Sequence, residues 1–133
     1  MFVMNEDNRI EYVACEPNLV KNEWNKLFRD IKKLKNQKLD IQEVFYFASL
    51  IHLVFLKIHP LQDGNGRTGR LLEKWFLKEK LGSLATSIEL EKNYYLNKQN
   101  YYDNIRKLGM DYDTLDYSNA LDFLLMTVES IKL

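Results

Sequence analysis

Apolar positions recur at two spacings along this chain, and the change of spacing divides it. Near the start, Ile10, Tyr12 and Ala14 alternate with other residues, the period of a short strand over residues 9–14. Residues 1–8 carry little pattern. After Glu16-Pro17-Asn18 the period becomes helical. Pro17 is tolerated at a helix start, and Leu19, Val20, Trp24, Leu27, Phe28, Ile31 and Leu34 recur at helical spacing to about Lys35. A polar connection, residues 35–38, leads to Asp40. Asp40 with Glu43 three residues on is a capping-box pair. The helix it opens, residues 41–58, is apolar nearly all round, as a helix buried in the middle of a domain is. Pro60 ends that helix near Ile58. Leu71, Leu72, Trp75 and Phe76 predict the next helix over about 66–80, closed at Gly82 by a left-handed cap. Residues 83–87 read as a loop, and Thr86 with Glu89 as a capping box for a short turn. Tyr94, Tyr101, Ile105 and Leu108 predict a further helix ending at Gly109. Asp113 and Asp116 start a last one, with Leu115, Leu121, Leu124, Leu125, Val128 and Ile131 as its buried stripe. The expected fold class is all-α.

Between the two strongest helices runs His59-Pro60-Leu61-Gln62-Asp63-Gly64-Asn65-Gly66-Arg67-Thr68-Gly69-Arg70. Gly64, Asn65 and Gly66 fall at the N-terminus of the second helix. Unpaired N–H groups and the helix dipole make an anion site there, and glycine lets the backbone approach a ligand closely. Arg67 and Arg70 share one face of the first turn, and a guanidinium fork suits phosphate. Asp63 is a hard oxygen ligand beside that nest, as Mg²⁺ on a nucleotide requires. His59 ordinarily titrates near neutrality, which suits proton abstraction. Taken singly, these residues could be a helix end, a turn and two solvated cations. Together they describe a loop that holds a polyphosphate beside a general base.

The stretch resembles the signature of the Fic (filamentation induced by cAMP) family, His-Pro-Phe-x-Asp/Glu-Gly-Asn-Gly-Arg-x-x-Arg. Every defined position matches except the third, where Leu61 stands for Phe, and the likeness extends to Thr68-Gly69-Arg70-Leu71-Leu72, Ile51-His52 and Ile58. In the family the Phe packs inward and pins the loop, so Leu61 is expected to do the same with a small loss of volume. The resemblance implies a helical bundle with a β-hairpin flap before the first core helix, residues 9–16 standing in the matching place. It implies a single domain over residues 1–133, with a flap region at 1–16 and a helical core at 17–133. The activity it implies is AMPylation, transfer of AMP from ATP to a Ser, Thr or Tyr hydroxyl of a target protein docked along the flap as an added strand. His59 would be the base and Asp63 would hold Mg²⁺ between the α- and β-phosphates. Gly64, Asn65 and Gly66 would cradle phosphate, with the Asn65 amide orienting the α-phosphate. Arg67 and Arg70 would bind the departing phosphates, Arg70 on the γ side. The family's Doc toxins, which phosphorylate, carry Lys where this chain has Gly66. A non-catalytic Fic-like binding module, or an enzyme moving a different phosphate-containing group, is the alternative reading.

Many Fic proteins are inhibited through Ser/Thr-x-x-x-Glu-Gly/Asn. Residues 87–91 have that spacing, but Lys92 follows Glu91 and the segment lies between core helices. Inhibition is therefore expected to come from a separate antitoxin-like protein or from residues missing here. The chain is short for the family, as a minimal member or a fragment would be.

Composition adds limits. The chain has 133 residues, is 46% hydrophobic and carries a formal net charge of zero. That balance argues against nucleic acid as a partner. No apolar run reads as long enough for a membrane, and the start lacks a signal-peptide pattern. The lone Cys15 forms no internal disulfide, and the simplest location is cytoplasmic. His52 precedes His59 by roughly 10 Å of helix rise, too far for joint metal ligation, and reads as a buried structural histidine. The tyrosines 94, 95, 101, 102, 112 and 117 read chiefly as packing residues, with one or two at the edge of the nucleotide pocket.

Overall fold

Among the described residues, six α-helices and one two-stranded sheet make up most of the fold. The computed structural model describes residues 1–4 and 6–132. Asn5, inside the expected flap region, and Leu133, at the end of the expected core, lie outside the described residues. The sheet pairs β1 (Phe2–Met4) with β2 (Ile10–Val13) antiparallel, with a bulge between Val3 and Met4. The first strand falls where the sequence carries little pattern. The bulge also changes the faces. Tyr12 and Ala14 are buried as expected, but Ile10 is exposed and Glu11 is buried in its stead.

The helices are α1 (Val20–Asn36), α2 (Ile41–Ile58), α3 (Asn65–Leu81), α4 (Leu90–Leu96), α5 (Lys98–Arg106) and α6 (Leu121–Glu129). α2 packs on α3 along much of its length and also meets α1 and α6, so it is the spine of the core. Its start is fixed as the sequence predicts. Asp40 Oδ1 accepts the Glu43 N–H at 2.8 Å, and Glu43 Oε1 accepts the Asp40 N–H at 3.2 Å, a cap of about 1 kcal/mol. Eighteen residues at a mean hydropathy of 1.5 make α2 long and apolar enough to cross a membrane by length and composition. That corrects the sequence reading. In this fold 61% of the helix is buried inside the protein.

The second half departs from the sequence reading in detail. Gly82 ends α3 at φ 60°, ψ −129°, a positive φ outside the left-handed helical region. Residues Gly82–Ser87 form a 3₁₀ helix, and Thr86 donates to the Ser83 carbonyl at 2.7 Å, so no capping box forms with Glu89. The single helix expected through Tyr94 and Leu108 is two. Asn97 breaks it, because its amide turns back onto the Asn93 carbonyl at 3.0 Å and competes with the helix ladder. α6 starts at Leu121, preceded by two 3₁₀ turns, Tyr112–Thr114 and Tyr117–Asn119. It buries Phe123, Met126 and Thr127, while Leu121, Leu125 and Val128 of the predicted stripe are exposed. A polar residue, Thr127, turns inward because a carboxylate waits for it there.

Candidate active site

Helix α2 ends on His59. Its backbone is left-handed (φ 54°, ψ 57°), and its N–H closes the helix on the Phe55 carbonyl at 2.9 Å. Only one other described non-glycine residue, Asn8, has positive φ, and such strain collects at functional positions. The half-buried imidazole meets Tyr12 of β2. Tyr12 donates its hydroxyl proton to the Leu56 carbonyl at 3.0 Å, and the same oxygen lies 3.3 Å from His59 Nδ1. Nε2 carries no hydrogen bond among the described residues. Burial lowers the His59 pKa below the ordinary 6.5, opposed by the Leu56 carbonyl. The ring is therefore neutral at neutral pH, the form a base needs.

The loop after His59 is held by Asn65, and not by an inward-packed Leu61 as expected. Asn65 is buried, and its side chain brackets Leu61: Oδ1 accepts the Leu61 N–H at 3.0 Å and Nδ2 donates to the Leu61 carbonyl at 2.8 Å. Leu61 itself is 43% exposed. The Asn65 amide is thus engaged within the loop. Gly64 caps α3 at φ 83°, where a Cβ would lie 3.3 Å from the Arg67 guanidinium. Its own N–H is taken by Asp63 Oδ1 at 2.8 Å. The first bond back along the helix is Thr68 N–H to the Gly64 carbonyl, so the N–H groups of Asn65, Gly66 and Arg67 have no acceptor in the helix.

A small cavity of about 120 Å³ brings His59, Gly66 and Arg70 together with Tyr12 and Glu11. A larger one of about 450 Å³ is lined by Arg70, Tyr94, Tyr95, Lys98, Tyr101 and Glu91. Arg70, Tyr101 and Tyr102 border both. Asp63 and Arg67 stand on the outer lip instead, largely exposed and 3.4 Å apart. Glu91 faces Lys74 at 3.2 Å rather than Arg70.

Behind the loop lies a buried polar cluster that the sequence reading did not assemble. His52 Nδ1 meets Glu73 Oε2 at 2.5 Å, and Nε2 meets the Tyr101 hydroxyl at 2.9 Å. Glu73 also accepts from Tyr94 and from Thr127 (2.6 Å), and Thr127 meets Ser49 at 2.9 Å. No buried side-chain N or O among the described residues lacks a partner. The cluster sits against α3 at Gly69, where a Cβ would lie 2.8 Å from the His52 ring. Only glycine there lets α3 approach closely enough to seat the loop. His52 is thus a buried histidine, as expected, and Cys15 is buried too.

The flap strand is tied down by residues that sequence reasoning missed as site elements. Buried Glu11 pairs with Arg106 of α5 at 2.9 Å. Lys57, fully buried, sets its ammonium 4.3 Å from the Tyr12 ring centroid and donates to the Gly109 carbonyl at 3.3 Å. The signal available was a lysine at a buried position of an otherwise apolar helix. The outer edge of β2 is joined at Val13 to the Met110 carbonyl at 2.8 Å.

A family model described as the Fic/DOC family matches residues 3–77. The match covers the flap strands from Val3 on, α1, α2, the loop and most of α3. No solved structure matches the chain.

Proposed function

This chain belongs to the Fic/DOC family, and from that premise we propose that it is a protein adenylyltransferase, moving AMP from Mg-ATP to a Ser, Thr or Tyr hydroxyl of a target protein. The observation that carries the reading is the small cavity in which His59, Gly66 and Arg70 meet. A base with an open nitrogen, a helix N-terminus and a guanidinium converge there. His59 Nε2 takes the proton of the target hydroxyl. The oxygen then bonds to the α-phosphorus as the bond from that phosphorus to the bridging oxygen breaks, and pyrophosphate leaves with the electron pair. The N–H groups of Asn65, Gly66 and Arg67 bind phosphate oxygens, and Arg70 and Arg67 take the departing phosphates. The nucleoside lies in the larger cavity beyond Arg70, against the tyrosines.

One exposed carboxylate beside a phosphate nest fits Mg²⁺, which is commonly held by one or two carboxylates together with substrate phosphates. Among the described residues no group of three or more His, Cys, Asp or Glu gathers as a separate cage. Asp63 would hold the ion, which when bound neutralises phosphate charge.

Gly66 favours adenylyl over phosphoryl transfer. A Cβ there would meet Arg70 Nη1 at 3.5 Å, so a lysine side chain would set a second cation against Arg70. With β2 joined to Met110, the target segment is proposed to add along β1. Control is proposed to come from a separate antitoxin-like protein, because the Glu91 carboxylate is engaged by Lys74. Glu91→Gly then gives no gain of transfer, and a gain would assign the inhibition to this chain. The reaction itself is tested with ATP labelled at the α- or the γ-phosphate, Mg²⁺ and a cell lysate. The reading expects α-label on a protein band, lost in His59→Ala. Label from the γ-phosphate alone would overturn it in favour of phosphorylation.

A further inference from the structure

We propose that Tyr12 is a positioning residue for His59, holding its imidazole in the Nδ1–H tautomer so that Nε2 is the proton acceptor. The inference rests on the adenylyl-transfer reading for its use, and on the hydrogen-bond geometry for its content. A tyrosine hydroxyl has one proton. Tyr12 gives it to the Leu56 carbonyl at 3.0 Å, so toward Nδ1, at 3.3 Å, the hydroxyl oxygen offers only lone pairs. Nδ1 therefore faces an oxygen with no proton to donate and must carry the hydrogen itself. The lone pair is left on Nε2. Histidine free in water favours the opposite tautomer, with the hydrogen on Nε2, in which the open nitrogen could not accept the target's proton.

Three further contacts make Tyr12 a fixed support. Its side chain is buried, its ring stands edge-on to His59 (centroids 6.1 Å apart, planes at 80°), and the Lys57 ammonium lies over the ring, 4.3 Å from its centroid. Burial pushes the Tyr12 hydroxyl well above its ordinary pKa, so it keeps its proton throughout the working pH range. The charged and titratable groups around the pair are Glu11 on β2, Lys57 on α2, Arg70 on α3, and Tyr101 and Tyr102 on α5. Of these, Glu11 is matched by Arg106. Tyr12 belongs to the flap strand, so seating of the flap and readiness of the base are one event.

The test is long-range proton–nitrogen NMR of the ¹⁵N-labelled full chain, with His59→Ala to assign the His59 signals, alongside Tyr12→Phe. That variant keeps the ring and its contact with Lys57 and removes only the hydroxyl. Wild type is expected to give the Nδ1–H pattern above the histidine titration, and Tyr12→Phe to move toward Nε2–H. Transfer by Tyr12→Phe is expected to fall in kcat by about tenfold, with KM for ATP unchanged, as when a group that orients a catalytic imidazole is lost. A packing defect alone would lower the melting temperature without moving the tautomer. An unchanged tautomer in Tyr12→Phe overturns the inference, even if transfer is intact. If wild type transfers no label yet the tautomer still depends on Tyr12, the adenylyl-transfer reading fails and this inference stands.

Discussion

Two histidines stand on one face of α2, about two turns apart, and each touches a tyrosine hydroxyl. His52 is fully buried, with Glu73 on one nitrogen and Tyr101 on the other. His59 is half-buried, with Tyr12 on one nitrogen and an open face on the other. Saturating both nitrogens turns an imidazole into a structural joint between helices. Leaving one open, at the helix end and beside a helix N-terminus, gives the same ring a free nitrogen for the proposed role of base. The difference lies in what the neighbouring elements bring. α3 and α5 close around His52, whereas the loop that begins at Pro60 keeps His59 at the edge of a cavity.

Breaking each histidine's role should give opposite signatures. His59→Asn, chosen because Asn tolerates a positive φ, should reduce transfer by about 10²- to 10⁴-fold. Its urea midpoint should stay close to wild type, and a large drop there would make His59 structural as well. Glu73→Ala should do the reverse to the fold. It orphans His52, Tyr94 and Thr127 in the core, and removing one partner of such a buried pair costs about 3 kcal/mol or more. Equilibrium denaturation checks it, and a neutral result would remove the cluster from the account of stability. Gly69→Ala pushes a methyl to 2.8 Å from the His52 ring and should cost about 1–3 kcal/mol by overpacking. A His52→Ala background should relieve most of that cost, which a double-mutant cycle would measure.

Two pH experiments sharpen the same contrast with smaller effects. Lys57 is held down to about 8 by burial, from 10.5. Charging it in the fold is therefore unfavourable below that range, and the penalty fades as pH rises from about 8 toward 10.5. Lys57→Met should melt higher than wild type at neutral pH, and the gap should close on the alkaline side. For His59 the folded pKa lies below the ordinary 6.5. As pH falls below 6.5 the unfolded chain takes the proton first, so stability from this group is lost as pH drops through the lower folded value. The acid limb of kcat/KM should likewise lie below 6.5. A limb above that value would mean that some other group sets it.

Much of this was legible in the sequence where a local rule decides alone. The capping box at Asp40, the end of α2 before Pro60 and the start of α3 within the glycine loop each depend on a few adjacent residues. The His59–Arg70 signature was legible for the same reason. What was not legible depends on distant partners. Tyr12 read only as an alternating position of a short strand, because its hydroxyl acquires meaning only from Leu56 and His59. Asn65 read as a phosphate ligand, because nothing local says that its amide will bracket Leu61. Thr127 stood outside the predicted stripe of α6, yet Glu73 draws it inward and leaves Leu121, Leu125 and Val128 outside. The break at Asn97 was hidden because the apolar period continues through it.

The central claim is that the loop between α2 and α3 transfers AMP with His59 Nε2 as base. Intact-mass analysis of the target band captured from the labelled lysate, after incubation with wild type or with His59→Asn, tests it most directly. The account predicts a gain of one AMP group on a Ser, Thr or Tyr with wild type and no gain with the variant. A gain of one phosphate, or an equal AMP gain with His59→Asn, would contradict it.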